Sequence, residues 1–141
     1  MSNSVALLGW LILAALGWKR WAASLVTGAI LPLVFAVLYA ALIVAHWGET
    51  KGGFGSLASV GELFSDQWLL LAGWVHYLAF DLFIGSWQVR DARRNHLPFW
   101  LVLPCLVLTF LFGPIGLLLY LILAGLVSRG KAWPGHPVAA M

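Results

Sequence analysis

LLLAGWVHYLAFDLFIGSW, residues 69–87, is an apolar run long enough to cross a lipid bilayer, with His76, Tyr77 and Asp81 in its middle. A carboxyl group in hydrocarbon costs several kcal/mol unless it is neutral, paired or beside a wet cavity. Its presence here calls for a partner or a task. The rest of the chain is read outward from that demand.

The composition agrees with a membrane solvent. Of 141 residues, 62% are hydrophobic and 9% charged, where soluble domains carry charge at roughly a quarter of positions. Nine Trp fit headgroup-level anchoring. The net charge of +3 is small and its basic residues are clustered. They read as topology signals and not as a nucleic-acid surface. Cys105 is the one cysteine, so no internal disulfide and no cysteine-held metal is expected. The N-terminus has no basic residue before its apolar run, so that run is expected to be retained.

Four apolar runs follow in order: Ser4–Trp18, Trp21–Trp47, Gln67–Val89 and Phe99–Val127. They predict an all-α integral membrane four-helix bundle over residues 1–128, with a flexible polar tail over 129–141. Pro32 predicts a kink in the second span. Pro104 and the pair Gly113-Pro114 predict a kinked fourth span with a local break near mid-depth. The loop between the second and third spans holds Gly52, Gly53 and Gly55 around Phe54, and no Lys-Ser or Lys-Thr follows to make it a phosphate loop. Residues 56–64 predict a short interfacial helix, with Phe54, Leu57, Val60 and Leu63 inward and Glu62 and Asp66 toward water. It reads as a lid or as a plain connection. Lys19, Arg20, Arg90, Arg93 and Arg94 fall on one side of four crossings, against Lys51, Arg129 and Lys131 on the other. That bias predicts a multi-pass protein with both termini outward.

Projected at about 100° per residue, Trp74, Tyr77, Asp81, Gly85 and Gln88 share one stripe of the third span. Tyr77 and Asp81, four apart, are neighbours able to hydrogen bond. His76, Phe80, Phe83 and Trp87 fall on another stripe, and His76 is about 140° around the axis from Asp81. Asp81 is the candidate acid or base, with His76 and Tyr77 as further catalytic candidates. Trp68, Trp74, Phe80, Phe83, Trp87, Phe110 and Phe112 could form an aromatic wall for a long apolar ligand. Thr109 is expected to meet Asp81 across an antiparallel helix pair. No HExxH or paired-histidine spacing is present, so neither a metal nor another cofactor is implied.

Four blocks resemble one family. GGFGSL (residues 52–57), LLAGWVHYLAFDLFIG (70–85), Arg-Asp-Ala-Arg (90–93) and LPCLVLTFLFGPIGLLLY (103–120) are similar to the abscisic-acid-deficient-four-like, or neoxanthin-synthase-like, membrane proteins. The resemblance covers about residues 4–123. It implies a role near carotenoids or related isoprenoid lipids. The plant member's reaction opens the epoxide of violaxanthin to an allenic alcohol, an isomerisation without net redox. Asp81, His76 and Tyr77 match the acid–base types such a step needs. Trp74, Phe80, Gly113 and Pro114 match family motif positions and, with Thr109 and Phe110, would shape the ligand slot. The expected protein is bacterial, in the inner membrane, partnered by isoprenoid and membrane lipids. The rival reading is a non-catalytic accessory subunit of a larger membrane or pigment–protein complex.

Overall fold

The computed structural model describes residues 2–17, 19, 22–49 and 51–130, whose regular structure is helical with no strand among them. Of the expected tail, residues 129–141, the first two end the last helix, and residues 131–141 lie outside the described residues, as do Trp18, Arg20 and Trp21. Six α-helices run in the order α1 (Ser2–Leu16), α2 (Leu31–His46), α3 (Leu57–Leu63), α4 (Gln67–Arg94), α5 (Phe99–Phe112) and α6 (Pro114–Gly130). A π-helical segment, Ala22–Ile30, leads into α2.

Two stretches, Val26–His46 and Gln67–Arg94, are long and apolar enough to cross a membrane. α4 has 28 residues, which is about 42 Å of helix against about 30 Å of hydrocarbon. Asp66 starts it, accepting from the backbone N–H groups of Trp68 (2.8 Å) and Leu69 (3.0 Å). The π segment and α2 run antiparallel to it. Ser24 stands near Arg90 and Arg94, Thr27 bonds Ser86, Tyr39 meets His76, and His46 stacks on Trp68. Pro32 falls in the first turn of α2, directly after the π segment. The expected disturbance is therefore a wide turn ahead of the proline, where a missing N–H costs least. α1 packs against α4 through Gly9 on Leu82 and Gly85 on Trp10, and ends near Phe99. At 15 residues it is about 22 Å long, shorter than a full crossing.

The run from Phe99 to Val127 differs from expectation. It is a helical hairpin, not one kinked crossing. α5 descends beside α4 to Gly113, which has φ 48° and lies against the Asp81 carboxyl. α6 then turns back. Its Gly116 packs on the backbone of Cys105 and Thr109, with no room for a Cβ, and its Tyr120 reaches Asp91 near the end of α4. Pro114 accounts for the break, since it has no N–H to offer the Phe110 carbonyl and its ring obstructs a continued helix. Gly113 accounts for the reversal, because its positive φ and its contact with Asp81 both exclude a side chain.

The core gathers on α4: Val75, Leu78, Ala79, Leu82 and Val89 pack with Trp10, Leu13, Phe35, Val102, Leu106 and Tyr120. Outward, Leu33, Val37, Val44, Leu70, Trp100 and Leu118 stand exposed. So much contiguous apolar surface suits lipid better than water. The short helix spans Leu57–Leu63, within the expected range, and Ser56 caps it by accepting from the Ser59 N–H at 3.1 Å. Its inward face differs from expectation. Leu63 is buried, whereas Leu57 is 88% exposed.

Candidate functional site

The face of α4 toward the hairpin is a polar seam. Tyr77, Asp81, Gln88 and Asp91 recur at intervals of four, seven and three, which keeps them on one stripe. Three of the four hydrogen bond to the hairpin. The Tyr77 hydroxyl donates to the Phe110 carbonyl at 3.2 Å. This is the carbonyl that Pro114 leaves unserved four residues later, so the side chain replaces a lost backbone bond. Gln88 Nε2 donates to Thr109 Oγ1 at 3.0 Å, and the Thr109 hydroxyl reaches the Cys105 carbonyl at 2.8 Å. The Tyr120 hydroxyl donates to Asp91 Oδ2 at 2.6 Å, and Asn95 donates to the same oxygen at 2.9 Å.

Asp81 is the exception in this seam. It is 6% exposed, and its Oδ2 is buried without a hydrogen-bond partner among the described residues. Tyr77 interacts with the carboxyl from one turn away, and Gly113 closes over it, its missing Cβ leaving the space that the two oxygens occupy. Buried acceptors are usually satisfied, so this orphaned carboxyl oxygen sets Asp81 apart from the rest of the seam. The α4 residues Tyr77 and Asp81 come together as their spacing implies. Thr109 bonds Gln88 rather than Asp81, and the hairpin tip takes the place expected for it.

His76 lies on the far side of α4. Its ring stacks on Phe80 at 4.5 Å and tilts against Tyr39 of α2 at 5.5 Å. It is one wall of a cavity of about 250 Å³ that Phe54, Leu63 and Phe64 roof over, with Tyr39 and Trp47 as further lining. Tyr39 was not singled out from the sequence, where it is one ring in a long apolar run. His46 stacks face to face on Trp68 at 4.8 Å. No group of three or more His, Cys, Asp or Glu side chains able to hold a metal occurs among the described residues.

The aromatic residues divide in the same way. Trp74 stacks on Tyr77 at 5.4 Å, and both line a cavity of about 290 Å³ with Phe64, Leu70 and Gly73. Phe110 tilts against Trp10 at 5.4 Å. Phe80 and Phe83 line an apolar groove of about 410 Å³ beside Gly28, Pro32 and Ala36. Trp87 meets Tyr120 edge-on, and Phe112 stands exposed next to the tip. The Trp74–Tyr77 cavity and the Phe80–Phe83 groove are separate surfaces and not one wall, and the former adjoins the His76 cavity through Phe64 and Gly73.

A family model described as ABA DEFICIENT 4-like matches residues 1–120 of the chain. No curated protein and no solved structure matches it.

Proposed function

The chain belongs to the ABA DEFICIENT 4-like family, and from that premise we propose that it is an integral membrane protein that binds a carotenoid or related isoprenoid and isomerises it by acid–base chemistry at Asp81. The observation that carries the reading is the buried Asp81 carboxyl, with an unpartnered oxygen, at the tip of a hairpin halfway along α4.

The reaction needs one proton given and one taken. A neutral carboxyl does both. Its hydroxyl oxygen protonates the epoxide oxygen as a carbon–oxygen bond breaks. Its second oxygen accepts a proton from the adjacent polyene carbon as the new carbon–carbon double bond forms. The carboxyl ends as it began, and substrate and product share one formula. Tyr77, its hydroxyl donated to the Phe110 carbonyl, would fix the hairpin tip beside the carboxyl. The cavity bounded by Trp74 and Tyr77 would admit one end ring. The polyene would continue outward into lipid. Phe110, Gly113, Pro114 and Thr109 would form and brace the opposite wall. In this reading His76 and Phe80 contact ligand or lipid in the α2 groove and take no part in the proton transfers.

The same geometry revises the expected topology. In this reading α2 and α4 cross the membrane, α1 enters beside them, and the hairpin dips to the middle and returns. The end of α6, which carries Arg129, then lies with Lys19, Arg90, Arg93 and Arg94, opposite Lys51. With that arrangement the basic residues would favour the cytoplasm for that side, α6 end included. Four crossings would have put the C-terminal end outward.

The test is expression in a host that accumulates epoxy-carotenoids, with pigments resolved by chromatography and mass. The protein should convert the epoxide to an isomer of equal mass, and gentle purification should retain an isoprenoid with a three-peaked visible spectrum. Asp81→Asn should accumulate normally and convert nothing. Equal conversion by Asp81→Asn, or colourless protein beside unchanged pigments, would overturn the reading. A non-catalytic accessory subunit would tolerate that substitution and co-purify with a larger complex.

A further inference from the structure

At the C-terminal end of α4, Arg90, Arg93 and Arg94 converge with Ser24 of the π segment on a cavity of about 350 Å³. The three arginines lie on one face of α4 because they are three and four residues apart. Arg94 stands near Arg90 as a like charge. Arg90 lies over the Phe83 ring at 5.8 Å, an aromatic seat that fixes its plane.

Two general effects account for basic residues at this end. Cations favour a helix C-terminus, and they favour the cytoplasmic side of a membrane. Both need only charge near the end of the helix. Neither requires three guanidinium groups to share a cavity with a hydroxyl from another helix. A bound anion does, since guanidinium forks match phosphate oxygens in pairs and a shared anion turns their repulsion into attraction.

Depth supplies the second argument. Arg90 and Arg94 lie about 14 and about 20 Å along the helix axis from Asp81. If Asp81 is at the mid-plane, the hydrocarbon edge comes at about 15 Å. The cavity then opens at the level of lipid phosphates. We propose that Ser24, Arg90, Arg93 and Arg94 form a binding site for a phosphate group, supplied by an anionic lipid head or by free phosphate. The depth argument rests on the membrane-spanning reading given above, which extraction with alkaline carbonate tests separately.

The protein is purified in neutral detergent and its thermal unfolding is followed by tryptophan fluorescence. Phosphatidylglycerol, phosphatidylcholine or inorganic phosphate is then added. Phosphatidylglycerol should raise Tm by roughly 5 °C, and phosphatidylcholine by much less. Arg94→Gln, at an exposed position, and the double substitution Arg90→Gln with Arg93→Gln should each lose at least about half of the rise, whereas Lys51→Gln should keep it all. A rise with inorganic phosphate of the same size, lost in the same variants, identifies free phosphate as the source. A rise with lipid alone identifies the head group. No rise from either, or an equal rise in Arg94→Gln and Lys51→Gln, overturns the site. Should the double variant fail to fold, Arg94→Gln decides by itself.

Discussion

The two sides of α4 are built from different chemistry. Toward the π segment and α2, the middle of the contact is largely apolar and aromatic, with small residues such as Gly28, Ala36 and Ala79 along the groove and Ser86 donating to Thr27 at 2.8 Å. Toward the hairpin, Tyr77, Asp81, Gln88 and Asp91 all face a partner. A complete helix satisfies its own backbone and asks only for shape. A helix stopped halfway leaves carbonyl groups that need donors, and its glycine tip gives a carboxyl group room to approach. Part of the polarity of this face of α4 follows from the break in its neighbour, since Tyr77 serves the Phe110 carbonyl that Pro114 frees and Gly113 gives Asp81 room.

Filling the tightest point of the hairpin should break this asymmetry most severely. Gly116→Leu has no space against Cys105 and Thr109 and should cost about 3 kcal/mol or more, or prevent folding altogether. Gly125→Leu, on the same helix with nothing near its Cβ position, should stay within about 0.5 kcal/mol of the parent or slightly above it. Denaturant unfolding in detergent compares the two. Equal effects would mean that α6 does not lie on α5.

Removing the acid should separate chemistry from stability. Asp81→Asn keeps the shape and should lower the conversion rate at least about 100-fold, the usual worth of a positioned acid–base group, with Tm little changed. Tyr77→Phe should act mostly on stability. It leaves the Phe110 carbonyl without its donor, at about 1–3 kcal/mol, and a loss below about 0.3 kcal/mol by thermal unfolding would deny that bond. The smallest effect belongs to the apolar side. His76→Ala should change conversion by less than about threefold, since the ring faces Tyr39 and Phe80. A loss as large as that of Asp81→Asn would join the two faces into one site and contradict the division drawn here.

Much of this division is present in the sequence. Helical periodicity alone puts Tyr77, Asp81 and Gln88 on one stripe and His76 on another, because every position along an unbroken helix has a fixed angle. The proline rule likewise predicts that a freed carbonyl must find a donor. What periodicity does not carry is the direction of the chain after Gly113-Pro114, since the same pair serves a kink and a reversal. That outcome depends on Gly116 fitting under Cys105 and on Tyr120 reaching Asp91, contacts between residues many positions apart. Thr109 was expected at Asp81 for the same reason. Its partner is set by the vertical offset of two helices, which no single helix records. Of the apolar face expected for the short helix, Leu63 is buried and Leu57 is not, since a helix of two turns can rotate to follow the chain at its ends.

The account depends most on α6 returning to the side from which α5 departs. Single cysteines at Arg129, Asn95 and Gly55, each in a Cys105→Ala background, can be labelled in sealed, oriented vesicles with a thiol reagent that does not cross lipid. The account predicts that positions 129 and 95 are labelled from one side and position 55 from the other. Labelling of position 129 together with position 55 would make residues 99–127 a true crossing, and would remove the hairpin tip from Asp81.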